Sequence, residues 1–351
     1  MKKKILSIVG ARPQFIKHAP IQILLREHYD AITLHTGQHY DYKMSEIFFN
    51  ELNIGIPEFT LSLDRIASVN HGAQTAQIMT YVEKVCLEVL PDALIIYGDT
   101  NSTLAGALVA AKLQIPIIHI EAGLRSFNRS MPEEINRIIA DEFSYLLFCP
   151  TPAAIENLHK EGISHDRILP CGDVMIDALQ IVQSKIQRLY NEDYYFATIH
   201  RPYNTDSEER LVQILKELNL LGKKVIFPIH PRTKNKLKSY GILDFNIYNN
   251  ILFVEPVGYL ESVSYQAYST CVITDSGGMQ KEAYALRKKC ITLRTETEWV
   301  ETLKNGWNHL VYSDLSQLRK LVNYQPGEYI ENLYGNGRAA NEIVNNIRLY
   351  I

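Results

Sequence analysis

Near its start the chain reads Lys4-Ile5-Leu6-Ser7-Ile8-Val9-Gly10-Ala11-Arg12-Pro13-Gln14-Phe15-Ile16-Lys17. The short apolar run at the beginning of this segment predicts a β-strand, because it is rich in branched side chains and is bounded by turn residues. Gly10 permits a tight turn after the strand, and Pro13 is suited to the first turn of a helix. Arg12 and Lys17 add cations beside the helix N-terminus, so this turn is a candidate site for an anion.

The same alternation of short strands and longer helices continues along the rest of the chain. Alternating strands and helices are typical of parallel sheets wrapped by helices. We therefore expect two open α/β sheets in tandem, in domains at 1–170 and 171–336, with a last helix at 337–351 that returns to the first domain. The further predicted strands are at residues 31–36, 93–97, 115–120 and 145–148, and then at 195–199, 224–229, 251–254, 271–274 and 290–293.

Open parallel sheets bind ligands at the carboxyl ends of their strands, in the turns that follow. Two such sheets in tandem are expected to face one another across a cleft at those ends. Polar clusters should then come directly after predicted strands, and they do so in both halves of the chain.

Composition and charge exclude several classes of protein. The 351 residues are 46% hydrophobic and 21% charged, which is the mix of a globular protein. The 36 Lys and Arg against 39 Asp and Glu give a net charge of −3, so no basic field would hold a nucleic acid or an anionic membrane. No segment approaches the ~18 consecutive apolar residues of a membrane span, and the first apolar run is too short for a signal peptide. A cytoplasmic protein is expected.

Neither a metal nor a redox cofactor is predicted. The five cysteines lie far apart, without a C-x-x-C pair, and the sequence contains no H-E-x-x-H helix or EF-hand loop. The turn after the first strand is not a G-x-G-x-x-G fingerprint, so nicotinamide binding has little support. Buried, reduced thiols are the expected state of the cysteines.

Carboxylates follow two predicted strands of the first half and begin the helix after them. Asp99 follows the strand at 93–97, Glu121 closes the next strand, and Glu133 and Glu134 begin a helix. Adjacent strand ends lie about 5 Å apart, so these groups are expected to converge and to shift one another's pKa values apart, as acid/base catalysis requires. The alternative is that each carboxylate caps a helix or pairs with a nearby cation, Arg125, Arg129 or Arg137.

Three polar clusters follow strands of the second half. His200-Arg201 comes after the strand at 195–199 and His230 after the next one, and a histidine can titrate near neutral pH. Thr274-Asp275-Ser276-Gly277-Gly278 leads a strand into a helix, and its paired glycines let main-chain N–H groups approach a phosphate. Glu282, one helical turn further, is suited to accept hydrogen bonds from ribose hydroxyls. The plain alternatives are structural histidines and a glycine-rich turn with a surface glutamate.

These segments occur in the order and spacing of the non-hydrolysing UDP-N-acetylglucosamine 2-epimerases, which the chain resembles from end to end. The resemblance implies the glycosyltransferase-B architecture, with two Rossmann-like, doubly wound parallel-sheet domains facing a cleft. It also implies a UDP-sugar substrate, no cofactor and a homodimer. The segments that carry it are residues 10–17, 98–100, 119–125, 132–134, 200–201 and 274–278.

The resemblance further implies roles for single residues. Asp99, Glu121 and Glu133 would be the acid/base carboxylates, and His200 the active-site histidine of the second domain. Within the UDP site, Val257 would lie by the uracil and Glu282 at the ribose. The residues that would hold UDP are Arg12, His230, Val257, Ser276, Gly277, Gly278 and Glu282. Further contacts with the substrate are expected from Lys17, His39, Arg125, Arg201 and Arg294.

Members of this family eliminate UDP across C1–C2, form a 2-acetamidoglucal, and add UDP back after protonation from the other face. The turn Glu298-Trp299-Val300-Glu301 is also similar to relatives that act on UDP-2,3-diacetamido-2,3-dideoxyglucuronate, so either sugar is a candidate. Gln38-His39-Tyr40 stands where members activated by substrate at a second site have Gln-His-Arg, so that regulation is not expected. The alternatives are a hydrolysing 2-epimerase, a glycosyltransferase and a noncatalytic nucleotide-sugar sensor.

Overall fold

The computed structural model describes residues 2–38, 49, 51–52, 54–64, 70–242 and 244–351. The chain divides into two compact units, Met1–Val182 with Tyr334–Ile351, and Gln183–Leu333. The division predicted at residue 170 differs from these units in the helix Val174–Gln183, nearly all of which belongs to the first unit. His39 lies outside the described residues.

The first unit is built on a seven-stranded sheet in the order β3-β2-β1-β4-β5-β6-β7. Every strand pair in it is parallel, as predicted. The strands are β1 (Lys4–Val9), β2 (Asp30–His35), β3 (Phe59–Thr60), β4 (Ala93–Tyr97), β5 (Ile117–Ile120), β6 (Leu146–Cys149) and β7 (Ile168–Pro170). The described helices are Arg12–His28, His71–Val89, Asn101–Lys112, Pro132–Phe143, Pro152–Lys160, Val174–Gln183 and Ala339–Tyr350, with a 3₁₀ turn at His165–Arg167.

The second unit contains a six-stranded sheet in the order β10-β9-β8-β11-β12-β13, also parallel throughout. The strands are β8 (Tyr194–Thr198), β9 (Lys224–Pro228), β10 (Ile251–Val254), β11 (Cys271–Thr274), β12 (Cys290–Thr292) and β13 (Asn308–Leu310). The helices are Pro202–Thr205, Glu208–Asn219, Pro231–Ser239, Tyr259–Tyr268, Gly277–Ala285 and Leu318–Leu321, with 3₁₀ turns at Phe245–Ile247, Val300–Gly306 and Leu315–Gln317. The prediction of two open parallel sheets is therefore confirmed.

The strand order places a ligand-binding position in each sheet. The direction of winding reverses between β1 and β4 in the first sheet and between β8 and β11 in the second. Open α/β sheets bind ligands outside the carboxyl ends of the strands at such a reversal. The turns at Gly10 and Asp99 follow β1 and β4, and those at His200 and Ser276 follow β8 and β11. The predicted polar clusters thus flank both reversal points.

Burial explains why these segments form the central strands. The side chains of β4 are all buried, as are those of β1 after Lys4, which is typical of parallel strands covered on both faces. The last helix, Ala339–Tyr350, is anchored within the first unit because the Asp177 carboxylate accepts the N–H of Ala340 at 2.9 Å. Among the helices in the described ranges, none has both the length and the apolar character needed to cross a membrane.

Candidate active site

Gln14 holds the turn that follows β1. Its Oε1 accepts the N–H of Gly10 at 2.8 Å and that of Ala11 at 3.1 Å, while its Nε2 donates to the carbonyl of Tyr97 at 2.8 Å. A Cβ on Gly10 would stand 2.1 Å from Thr36 Oγ1, so a glycine is required there. Gln14 therefore ties the first turn to the end of β4, where Asp99 follows.

Lys17 and Glu121 form an ion pair at this edge of the first sheet. Their side chains are only 10% and 7% exposed. Glu121 has a φ of 70°, in the left-handed region that residues other than glycine rarely adopt. A Cβ on Gly98 would lie 3.1 Å from both Glu121 Oε2 and Lys17 Nζ. The turns after β1, β4 and β5 thus bring a cation and a carboxylate into contact.

Asp99 and the start of the helix Pro132–Phe143 meet through Arg137. Arg137 Nη2 donates to Asp99 Oδ2 at 2.5 Å, and its Nη1 donates to Glu134 Oε2 at 2.8 Å. Asp99 remains 31% exposed whereas Glu134 is buried. The pairing of Asp99 with a nearby cation, considered from the sequence as an alternative, is therefore present, yet it leaves the carboxylate accessible.

Glu133 and Glu134 differ in their surroundings. The Glu134 carboxylate accepts the N–H groups of Ser126 and Phe127, each at 2.9 Å, so it anchors the loop before the helix. Glu133 is half-buried. Of this pair, Glu134 is the more deeply buried carboxylate, and the acid/base role of Glu133 stays a prediction.

A buried network lies behind Glu121. Asp141 contacts His119 Nδ1 at 2.7 Å and accepts a hydrogen bond from Arg125 Nη1 at 2.7 Å. Arg125 also donates to Glu161 at 2.7 Å from Nε. Burial opposes ionisation of Asp141, but the charges and N–H groups of His119 and Arg125 outweigh it and lower the pKa of Asp141. Arg125 is buried and bonded within this network, because both ends of its guanidinium meet carboxylates. Its contact with substrate stays a prediction.

In the second unit, the carboxylate of Asp275 organises the turn after β8. It accepts the N–H groups of His200 at 3.0 Å and Arg201 at 2.9 Å, and the side chain of Asn204 at 3.1 Å. Burial raises the pKa of Asp275, while these N–H donors act in the opposite direction. His200 Nδ1 also lies 3.2 Å from Asp275 Oδ1. The sequence places Asp275 at a strand end, and the structure makes it the anchor of His200 and Arg201.

Two histidines share the edge formed by β8 and β9. The rings of His200 and His230 stack with centroids 5.1 Å apart. His230 Nδ1 accepts the N–H of Arg232 at 3.1 Å and so caps the helix Pro231–Ser239. The His200 side chain is 30% exposed, and His230 is exposed. Both rings can therefore meet a ligand at this edge.

The turn after β11 begins the helix Gly277–Ala285. Ser276 is its N-cap residue but makes no side-chain capping hydrogen bond. A Cβ on Gly278 would meet nothing within 4 Å, so the backbone there borders open space. The first N–H groups of a helix attract anions, and this start is open to one.

Arg294 and Glu298 lie beside the same turn. Arg294 Nη2 is 2.9 Å from Glu298 Oε2, and both side chains are buried. Arg294 Nη1 is buried without a hydrogen-bond partner. Lys281 lies over the ring of Trp299, with its Nζ 3.7 Å from the centroid. A cation with unused donor capacity therefore lies next to the proposed anion site.

Known proteins share the sequence and the fold of this chain over nearly its whole length. The family model described as UDP-N-acetylglucosamine 2-epimerase matches residues 23–348. The chain belongs to the UDP-N-acetylglucosamine 2-epimerase family. The family resemblance found in the sequence is thus confirmed.

Individual members of this family are similar over nearly the whole chain. The UDP-N-acetylglucosamine 2-epimerase homolog of Methanococcus maripaludis is 45% identical over 98% of this chain and 99% of that protein. The UDP-2,3-diacetamido-2,3-dideoxy-D-glucuronate 2-epimerase of Pseudomonas aeruginosa is 43% identical over 97% of this chain and 98% of that protein. The crystal structure of Methanocaldococcus jannaschii UDP-GlcNAc 2-epimerase in complex with UDP-GlcNAc and UDP matches with a TM-score of 0.89 and 40% identity, over 99% of each chain. The glycosyltransferase-B type of two-sheet fold is confirmed by this match.

Three further residues predicted from the family resemblance to bind UDP are Glu282, Arg12 and Val257. Glu282 is buried and its Oε2 accepts a hydrogen bond from Gln266 at 2.7 Å. Arg12 and Val257 are half-buried at the ends of β1 and β10. Their roles at the ribose, the diphosphate and the uracil stay predictions.

Sequence reasoning did not identify the residues whose side chains fix the strand-end turns by hydrogen bonds. Gln14, Asp141 and Asp275 each bond to backbone groups of a strand-end turn. The signal for Gln14 and Asp275 was present, since both come within a few residues of a predicted strand end. Asp141 lies far from any strand end in the sequence, near the end of a helix, so only the folded chain reveals its part.

Proposed function

We propose that this chain catalyses the non-hydrolysing epimerisation at C2 of a UDP-2-acetamido sugar. Family membership supports this proposal. The observation that carries it is the close grouping of Lys17, Glu121, Gly98 and the turn of Asp99 at one sheet edge. That edge offers a proton-transfer group, a cation in contact with it, and a second accessible carboxylate.

The reaction needs a route that avoids direct loss of the C2 proton. No carbonyl adjoins C2, so simple deprotonation would be very slow. Elimination of UDP across C1–C2 gives a 2-acetamidoglucal, and UDP then adds back after C2 is protonated from the opposite face. The proton and the UDP leaving group both return, so atoms balance without an oxidant or a cofactor.

Departure of UDP depends on stabilising the charge that develops on the diphosphate. We assign this task to Arg12, Ser276 and the N–H groups at Gly277 and Gly278, with Arg294 as a further cation. One well-aimed donor contributes typically about 3–4 kcal/mol to such a step. Support comes from the open space at Gly278 and from the unused Nη1 of Arg294. His230 and Arg201 would flank the same group, and Glu282 and Val257 would hold the nucleoside.

The proton transfers fall to the carboxylates of the first unit. Asp99, Glu121 and Glu133 are the proposed acid/base groups, and His200 is the proposed active-site histidine. General acid/base catalysis contributes a rate factor of about 10²–10⁴. The contact with Lys17 supports Glu121 as the carboxylate that accepts the proton.

The sugar itself is either UDP-N-acetylglucosamine or its 2,3-diacetamido uronate analogue. The similar proteins named above include one of each kind. The two sugars differ at C3 and C6, so direct assay of both separates them.

The test follows C2 by NMR in D₂O with each sugar and the purified chain. Inversion at C2 with uptake of deuterium and a retained UDP linkage is the expected result. Release of free sugar and UDP would instead favour the hydrolysing alternative. Asp99→Asn and Glu121→Gln are the matched controls: they should lose turnover and still bind UDP. Binding of UDP without turnover, by the unmodified chain and by both variants alike, would favour a sensor without catalysis.

We further infer a homodimer in a reducing compartment such as the cytoplasm. The inference of a dimer rests on the family resemblance, and light scattering of the purified chain tests it. All five cysteines lie in the described residues and are unpaired, which suits a reducing compartment.

A further inference from the structure

Asp141 is a buried carboxylate that contacts both sides of the Glu121 turn. Its Oδ1 lies 2.7 Å from His119 Nδ1, and its Oδ2 accepts the N–H of Gly123 at 3.1 Å. His119 precedes Glu121 and Gly123 follows it. A single side chain therefore contacts the ring of His119 on one side of the proposed proton-transfer group and the backbone N–H of Gly123 on the other.

The same network reaches the turn that carries Asp99. His119 Nε2 lies 2.8 Å from the carbonyl oxygen of Gly98, which is the residue before Asp99. The ring of His119 thus connects the end of β5 with the end of β4. Through this one ring, Asp141 is linked to the turns of both carboxylates.

Pairing with neighbouring groups explains how the Asp141 carboxylate is tolerated in the interior. Both partners of the His119 ring, a carboxylate and a carbonyl, are hydrogen-bond acceptors. Asp141 also accepts a hydrogen bond from Arg125 Nη1 at 2.7 Å, and Arg125 in turn meets Glu161. The buried charge of Asp141 therefore faces the charge of Arg125, and buried charges are tolerated when they are paired and hydrogen-bonded in this way.

The backbone of Glu121 needs such support. Its φ of 70° is a sparsely populated conformation for a residue with a side chain, and it persists only where the surroundings fix it. Lys17 contacts the carboxylate end of the residue, whereas Asp141 contacts the His119 ring before it and the Gly123 N–H after it. These contacts together determine where the carboxylate points.

We propose that Asp141, acting through His119 and Gly123, is the positioning residue that sets the Glu121 carboxylate and the Asp99 turn for proton transfer at C2. This inference rests on the function proposed above. A misplacement of about 1 Å at a reacting group lowers the rate by about 100-fold. Loss of the Asp141 charge should therefore slow proton transfer without weakening the binding of UDP, because UDP binding is assigned to other residues.

The test compares Asp141→Asn with Glu161→Gln. Asp141→Asn keeps the shape of the side chain but replaces one hydrogen-bond acceptor by a donor. We expect kcat and deuterium uptake at C2 to fall together by about 10- to 100-fold. The KM and the Kd of UDP should change by less than about threefold. Glu161→Gln removes a charged partner at the outer end of Arg125, so it should lower the unfolding temperature while leaving kcat within about threefold.

The outcomes separate this inference from the proposed function. Epimerisation by the unmodified chain establishes the function independently of either variant. A kcat for Asp141→Asn within about threefold of the unmodified chain would overturn the positioning role. A loss of kcat no greater than that of Glu161→Gln, at equal unfolding temperature, would overturn it as well. If Asp141→Asn does not fold, His119→Gln is measured by the same criterion, because it retains a donor for Gly98 but loses the contact with Asp141.

Discussion

Gly277 lies against the carboxylate of Glu298, so closely that a Cβ on Gly277 would stand 2.4 Å from Glu298 Oε1. Glu298 is buried and paired with Arg294 at 2.9 Å, so it has little freedom to move aside. The neighbouring Gly278 would meet nothing within 4 Å. The two adjacent glycines therefore differ in their surroundings. Gly277 is packed against Glu298, whereas Gly278 borders open space outside the helix.

Alanine substitution should separate these two requirements. Gly277→Ala should destabilise the second unit by about 1–3 kcal/mol, as overpacking does. Gly278→Ala should fold normally but weaken UDP binding by about 10- to 100-fold, because its methyl group would occupy the approach of the diphosphate and cost a charged hydrogen bond. Thermal unfolding and calorimetric titration with UDP measure the two effects. Undiminished UDP binding by Gly278→Ala would place the diphosphate elsewhere.

Glu133 and Glu134 offer a second matched pair. Glu134→Gln removes the charge that accepts the N–H groups of Ser126 and Phe127 and pairs with Arg137, so it should lower the unfolding free energy by about 2–4 kcal/mol. Glu133→Gln should cost less stability than Glu134→Gln, because Glu133 is less buried, and should reduce turnover by about 100-fold or more. The measurements are denaturant unfolding and C2 inversion by NMR. Full activity of Glu133→Gln would remove Glu133 from the acid/base set.

His18 should make the first unit sensitive to acid. Its ring is buried between Tyr97 Oη at 2.9 Å and Thr33 Oγ1 at 3.0 Å, and burial, with a smaller contribution from the charge of Arg26, lowers its pKa from 6.5 to about 3. The unfolded chain takes up this proton below about pH 6.5, and the folded chain does so only near pH 3. The free energy of unfolding is therefore unaffected by His18 above pH 6.5. It decreases as the pH falls from 6.5 towards 3, by up to about 1.4 kcal/mol per pH unit.

The matched variant for this effect is His18→Gln, which keeps an amide in the ring's place but has no proton to gain. The unmodified chain should lose stability faster than the variant between pH 6.5 and pH 4. Unfolding in denaturant at several pH values measures the difference. Parallel curves for the two proteins would contradict the assignment of acid sensitivity to His18.

Local sequence pattern was enough to predict most of the central strands and the turns that follow them. The apolar run before Gly10 and the Thr274–Gly278 segment each form a buried strand and a helix start. The short edge strands β3, β7 and β13, of two or three residues each, were not predicted. Such strands carry too few residues for a periodic pattern, and pairing with a longer neighbour fixes them.

The supporting groups of the site could not be predicted for a different reason. The family resemblance predicts Arg125 as a substrate contact, but it could not predict the bonds of Arg125 to Asp141 and Glu161, which lie 16 and 36 positions away. The partner of Lys17 is likewise 104 positions distant. Sequence reasoning places a charged residue at a sheet edge, whereas its partner depends on the crossing of helices and strands that only the fold supplies.

Asp275 provides a final test, of the anchor beneath His200. Asp275→Asn keeps the size of the side chain, but its amide cannot accept from the N–H groups of His200 and Arg201 and from Asn204 as the carboxylate does. At least one buried donor is left unpaired, so the second unit should lose about 2–3 kcal/mol of stability, and kcat should fall because His200 loses its fixed position. The control is Asp206→Asn, which disturbs only exposed ion pairs with Arg232 and Lys236 and should cost less than about 1 kcal/mol. Equal stability and turnover of the two variants would show that Asp275 does not hold the His200 turn.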